Sequence, residues 1–114
     1  MLFRGIVYIG LLPLLFAVQV NAGEGGEGAA EPVVSIINYE FVPKEITVRK
    51  GQKILWVNNE KRQYHSVWFE EAGDPEPQYF FPDESYTREF SDVGSFNYRC
   101  GPHPQMTGIV HVVE

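Results

Sequence analysis

Toward its C-terminal end the chain reads Cys100-Gly101-Pro102-His103-Pro104-Gln105-Met106, and His65 stands upstream. One thiolate, two imidazoles and one thioether form a donor set that suits a single copper ion exchanging one electron. The thiolate favours Cu(I), the imidazoles suit Cu(II), and the thioether adds a weak axial contact. A site that neither state finds ideal, and both tolerate, changes valence with little rearrangement. The implied chemistry is single-electron transfer, and no catalytic residue in the bond-making sense is expected.

Three of the four donors belong to one short loop. Arg99 and Cys100 end a strand-like run, and Pro102, with its fixed φ and no N–H, turns the chain sharply. His103 and Met106 can then curl back toward the sulfur. The fourth donor falls to His65, since His111 is the sole other histidine. Competing uses of the same residues fail on counts. A structural zinc site usually takes two or more cysteines, covalent haem needs Cys-x-x-Cys-His, and a Cys/His nucleophile pair needs an orienting third group and a cleft. Cys100 is the one cysteine, so an internal disulfide is excluded. Burial as a small hydrophobe and an intermolecular bridge are the other readings of a lone thiol. The neighbouring His103 and Met106 decide for metal.

Elements able to hold such a loop follow from the pattern of short apolar runs broken by turn residues. The spacing predicts strands at 33–38, 45–49, 53–58, 65–69, 86–90, 95–100 and 107–113. Ile46 and Val48 alternate with Thr47 and Arg49, Phe96 and Tyr98 with Asn97 and Arg99, and Val110 and Val112 with Ile109 and His111. Many short strands at regular spacing indicate an all-β sandwich or small barrel. Residues 70–84, dense in proline and acid, read as an irregular surface excursion with room for one helical turn.

The N-terminal region reads as a targeting segment. One arginine is followed by a largely apolar stretch over 5–20 and by Val20-Asn21-Ala22, the order of a Sec-type secretory signal over 1–22. The apolar stretch falls short of the ~20 residues of a membrane span and contains Pro13, so stable membrane insertion is not expected. Residues 23–31 read as a flexible tail and 32–114 as one compact domain. The whole chain carries 9 basic and 15 acidic residues, for a formal net charge of −6. Removal of Arg4 with the signal leaves 8 against 15, or −7. Such a chain lacks the positive charge that neutralises phosphates, which excludes nucleic acid, and it favours a basic partner.

Over 33–114 the chain resembles the cupredoxins, the small blue copper proteins. Phe41-Val42-Pro43, Ile46-Thr47-Val48, Gly51, Trp56-Val57-Asn58 and His65 follow the family's order, as does the Cys100 loop. Tyr98-Arg99-Cys100-Gly101-Pro102-His103-Pro104-Gln105-Met106 looks most like the short ligand loop of the amicyanin branch, and less like the longer plastocyanin loop. Tyr64 and Ser66 flank His65 where family members commonly carry proline and asparagine.

The resemblance implies a two-sheet Greek-key β-sandwich with one type 1 copper at its end. His65, Cys100 and His103 would be the strong ligands and Met106 the weak axial one. It places His103 as the solvent-facing electron exit, with Pro102 and Pro104 as an apolar docking rim. It also places the Ser66 N–H on the Cys100 sulfur, with the Ser66 hydroxyl tying the two ligand loops together. Pro102 cannot donate to that sulfur. By likeness, the expectation is a monomeric periplasmic electron shuttle whose partners are redox proteins: an amine dehydrogenase, a c-type cytochrome or another periplasmic oxidoreductase.

The rival is a periplasmic copper carrier or chaperone, which would ordinarily show Met- or His-rich exposed motifs that this chain lacks. A copper enzyme would need a second metal site, and one spare histidine cannot supply it. His111 reads as a solvent-facing strand residue, Trp56 as core, and Trp68 as a surface residue covering a neighbouring loop or docking a partner. The acids of 70–84 read as a solvated loop, with recognition of a basic cytochrome as their functional alternative.

Overall fold

The computed structural model describes residues 31–114. The expected signal segment and nearly all of the expected tail lie outside the described residues. Among the described residues there are seven strands: β1 (Val33–Ile37), β2 (Glu40–Val42), β3 (Glu45–Arg49), β4 (Lys53–Asn58), β5 (Ser85–Glu89), β6 (Gly94–Arg99) and β7 (Thr107–Val113). They form two sheets, ordered β2-β1-β4-β5 and β3-β7-β6. β1 runs parallel to β4 and β3 parallel to β7, and the other neighbours are antiparallel. The fold is the expected all-β sandwich. Among the described residues, no helix is long and apolar enough to cross a membrane.

Alternation decides which side chains meet between the sheets. Val34 and Ile36 of β1, Ile54 and Trp56 of β4, and Val110 and Val112 of β7 are buried, while their neighbours turn outward. Trp56 is the centre of an aromatic core, packed edge-on against Phe69 and Tyr98, and its indole N–H donates to the Tyr98 hydroxyl at 3.2 Å. Burial pushes the Tyr98 phenol up to about 12, so the hydroxyl stays protonated. Tyr98 also explains Gly108: a Cβ at position 108 would overlap the tyrosine ring that lies across it.

Two elements differ from the sequence reading. The expected strand over 65–69 is a crossing segment, held by single bridges at each end, His65 to Phe80 and Trp68 to Arg99. Between them the Ser66 N–H points at the Cys100 sulfur, 3.4 Å away, so it cannot join a ladder. Conversely, β2 is a strand that the pattern did not reveal. It follows a two-residue turn in which Asn38 and Tyr39 both take positive φ, 55° and 59°. Left-handed backbone costs a bulky residue about 1–2 kcal/mol. Tyr39 is held there by its N–H, which donates to Glu60 Oε2 at 2.8 Å. The 70–84 excursion opens with a short 3₁₀ turn, Glu70–Ala72, closed by Gly73 in the left-handed conformation.

Candidate metal centre

The site is assembled at one end of the sandwich, where β4 and β6 finish and β7 begins. β4 ends in Asn58, fully buried, and this side chain organises the loop that presents His65. Its amide donates to the carbonyls of Gln63 and Phe80 at 2.9 and 3.1 Å, and its oxygen accepts the Glu60 N–H at 3.0 Å. His65 is then pinned by paired backbone bonds with Phe80 at 3.1 and 2.9 Å. From the other sheet, β6 delivers Cys100. The loop beyond it closes through the Met106 N–H to the His103 carbonyl and the Cys100 N–H to the Met106 carbonyl, both at 2.9 Å.

These supports place His65 Nδ1 at 3.5 Å and His103 Nδ1 at 3.6 Å from Cys100 Sγ, and all three donor atoms lie within 4.8 Å of one another. Metal–nitrogen bonds of ~2.0 Å and a metal–sulfur bond of ~2.3 Å, opened by roughly 110–120°, would separate donors by about 3.5–3.7 Å. The spacing is therefore that of three ligands around one ion. His65 and Cys100 are fully buried and Met106 is 2 % exposed, whereas His103 keeps partial access to solvent. A soft thiolate, two imidazoles and a thioether in a closed pocket fit copper.

Burial pushes the Cys100 thiol up, against the backbone N–H groups of Ser66 and His103 that favour its thiolate. Burial likewise lowers the His65 imidazole, against the raising effect of Glu60. Both shifts leave the donors uncharged until a cation enters. Ser66 does two things: its N–H reaches the sulfur, and its hydroxyl accepts the Gly101 N–H at 2.8 Å. Pro102 is partly exposed and Pro104 is exposed beside His103.

Three contributors escaped the sequence reading. Glu60 Oε2 lies 3.1 Å from His65 Nε2, so the tautomer that frees Nδ1 toward the sulfur is fixed by a carboxylate. An acid five positions before a candidate ligand was the available signal. Tyr39 packs edge-on against both His65 and His103, with ring centroids 5.6 and 4.9 Å apart, and nothing in a turn tyrosine announces that. Glu76 lies over Gly101, where a Cβ would come 2.5 Å from its Oε2. Outside the site, His111 bonds Ser95 and Glu45 on the outer face of its sheet. Trp68 covers the neighbouring loop, its N–H donating to the Asp74 carbonyl at 2.9 Å and its ring carrying Arg99.

A β-sandwich holding one mononuclear copper between buried histidine, cysteine and methionine is the class that fold and site define. The profile of copper-binding proteins of the plastocyanin/azurin family matches residues 31–113, and the chain belongs to that family. It is 33% identical to amicyanin of Paracoccus versutus over 84 residues, which cover 70% of this chain and 63% of that protein. The amicyanin of Paracoccus denitrificans is 33% identical over 97 residues, covering 82% and 71%. The solved structure of Paracoccus versutus amicyanin superposes with a TM-score of 0.66 at 31% identity, covering 74% of this chain and 82% of that one. The chain thus spans less than two thirds of the first of these relatives.

Proposed function

We propose that the protein is an electron carrier that accepts one electron from one redox protein and delivers it to another. The observation that carries this reading is the spacing of His65, Cys100 and His103 around one point inside a rigid sandwich. When bound, copper supplies a valence that changes by one without bond-making chemistry. The protein's own residues do the rest. His65, Cys100 and His103 would hold the metal, with Met106 as a fourth and weaker donor. The Ser66 N–H and the Glu60 carboxylate hold the sulfur and His65 in place, so little must move when the charge changes. His103 is the one partly exposed donor, which makes its ring edge the exit, and Pro102 and Pro104 border it.

The residue pattern over 1–22 supports export through a Sec-type signal, with the electron carried in the periplasm and no enzymatic turnover. Similarity to amicyanins and plastocyanins supports redox proteins, such as an amine dehydrogenase or a c-type cytochrome, as partners. A metal carrier fits less well, because its ligands must be reachable, and here His65 and Cys100 have no exposed surface.

The test is one sample of copper-loaded protein studied by absorption spectroscopy and voltammetry. An intense blue thiolate-to-Cu(II) band, lost in Cys100→Ser, together with a reversible one-electron wave is the expected result. A colourless Cu(I) complex that exchanges its metal readily would replace the carrier of electrons with a carrier of copper.

A further inference from the structure

The acids of 70–84 are not equivalent once placed. Glu70 faces Arg99 at 3.4 Å and Asp74 meets Arg88 at 2.6 Å. Glu71 accepts from the Asn97 amide at 3.1 Å, and Glu84 accepts the Phe81 N–H at 2.8 Å. These four carboxylates are engaged within the fold, which leaves Glu76 and Asp83 exposed; of these two it is Glu76 that borders the ligand loop, lying over Gly101. Among the described residues the hydrogen-bond partner of Glu76 is the Tyr79 hydroxyl at 3.1 Å.

Beside Glu76 lies a cluster of aromatic rings that the core does not use. Tyr64 stacks on Tyr79, centroids 5.3 Å apart and 13° from parallel, and meets Phe81 edge-on at 5.7 Å. Its plane also lies within 24° of the His103 ring, at 6.2 Å. Tyr64, Tyr79 and Phe81 remain 40%, 41% and 52% exposed, so this is surface and not satellite core. With Glu76 they line an open concavity of about 610 Å³. Contiguous exposed aromatics bordered by polar groups mark interaction sites.

We infer that this shelf seats a lysine or arginine side chain of a basic redox partner, anchoring that partner beside His103. Ring faces carry negative quadrupole density that attracts cations, and the Glu76 carboxylate supplies a full charge at the rim. The chain's formal net charge of −6 draws a basic surface toward it at long range. Lys61 and Arg62, exposed on the loop before Tyr64, oppose a basic partner there, which leaves the Glu76 side as the face of approach. The shelf gives orientation that long-range charge alone does not, because a seated cation lies against rings stacked in series with His103. The purpose assigned to the shelf rests on the electron-carrier reading; its geometry does not.

The experiment is a titration of isotope-labelled, Cu(I)-loaded protein with a lysine-rich c-type cytochrome, followed by amide chemical shifts at low ionic strength. The largest perturbations are expected at residues 64, 76, 79, 81 and 103. Glu76→Gln and Tyr79→Leu should each weaken binding about three- to fivefold, as loss of an exposed cation–π or carboxylate contact does. Asp92→Asn, the same charge change in the turn between β5 and β6, should leave affinity within a factor of about 1.5. Equal weakening by Asp92→Asn would mean that net charge alone acts and would overturn the assignment. So would perturbations centred away from the shelf, or concentration-dependent broadening without cytochrome, which would give the shelf to a second copy of the chain. If the perturbation map appears as expected but the copper protein shows no reversible wave, the docking site stands and the electron-carrier reading fails.

Discussion

Glu60→Gln isolates what a buried carboxylate does to the metal site. Glu60 Oε2 accepts from both Tyr39 N and His65 Nε2, at 2.8 and 3.1 Å, so the amide oxygen of glutamine can take over both bonds. What disappears is the charge. With the Glu60 side chain 9% exposed and His65 at 0%, solvent screens that charge little. Adding an imidazole width and a metal–nitrogen bond to the 3.1 Å contact puts the carboxylate oxygen roughly 7 Å from the ion. At an effective dielectric constant of about 20, one charge at that distance contributes about 2.4 kcal/mol in favour of Cu(II) over Cu(I). At 59 mV per tenfold for one electron, the ceiling is about 100 mV.

Glu60→Gln should therefore raise the reduction potential by roughly 30–100 mV, the lower figure allowing for relaxation and residual screening. Protein-film or solution voltammetry reads the shift, and urea unfolding of the metal-free protein reads the structural cost. Loss of charge assistance from two hydrogen bonds should cost about 1 kcal/mol. A potential that stays within ~10 mV of the parent, or falls, would refute the electrostatic role assigned to Glu60 at this distance. A large stability loss with no change in potential would reduce Glu60 to a clasp between the β1–β2 turn and the His65 loop.

Three other substitutions or conditions bear on the same structure. Pro102→Ala introduces an N–H next to the Cys100 sulfur; if it reaches the sulfur the thiolate loses electron density and the potential should rise by on the order of tens of millivolts. Voltammetry showing no change or a fall would sink that account. For the metal-free protein, burial holds the folded-state His65 below its ordinary 6.5, so the unfolded chain takes up the proton first. Stability should then fall as pH drops below about 6.5, and denaturant titrations flat from pH 7 to 5 would contradict it. Gly108→Ala drives a methyl into the Tyr98 ring, and thermal melting should reveal a loss of about 1–3 kcal/mol. An unaltered melting temperature would show that Tyr98 can move aside without cost to the core.

The donor set was legible because copper chemistry restricts residue type more than fold does: the composition of Cys100, His103 and Met106 narrows the metal before any strand is placed. The sandwich was legible because alternation is local, as Val110 and Val112 show against His111. Two kinds of information were not local. The strand expected at 65–69 has suitable side chains, but the N–H of its second residue, Ser66, serves a sulfur thirty-four positions away in sequence. β2 depends on a turn that puts Tyr39 at positive φ, a choice stabilised by Glu60 from another loop. Propensity sees neither, because in both cases a distant polar group outweighs the local preference.

Those same long-range bonds explain how a loop site can be rigid. Loops ordinarily move because few contacts hold them. Here the His65 segment is tied to Phe80 on one side and to Arg99 on the other, and to the Cys100 loop through Ser66. Glu60 adds a bond to the β1–β2 turn, whose Tyr39 ring lies against both histidines. His65 and Cys100 are thus held by groups beyond their own immediate segments, Phe80 and Glu60 for the one and Ser66 for the other, so moving either requires breaking bonds elsewhere. A site built this way resists reorganisation when its charge changes. That resistance is the physical requirement for fast electron transfer, and a carrier that must release its metal would be hindered by it.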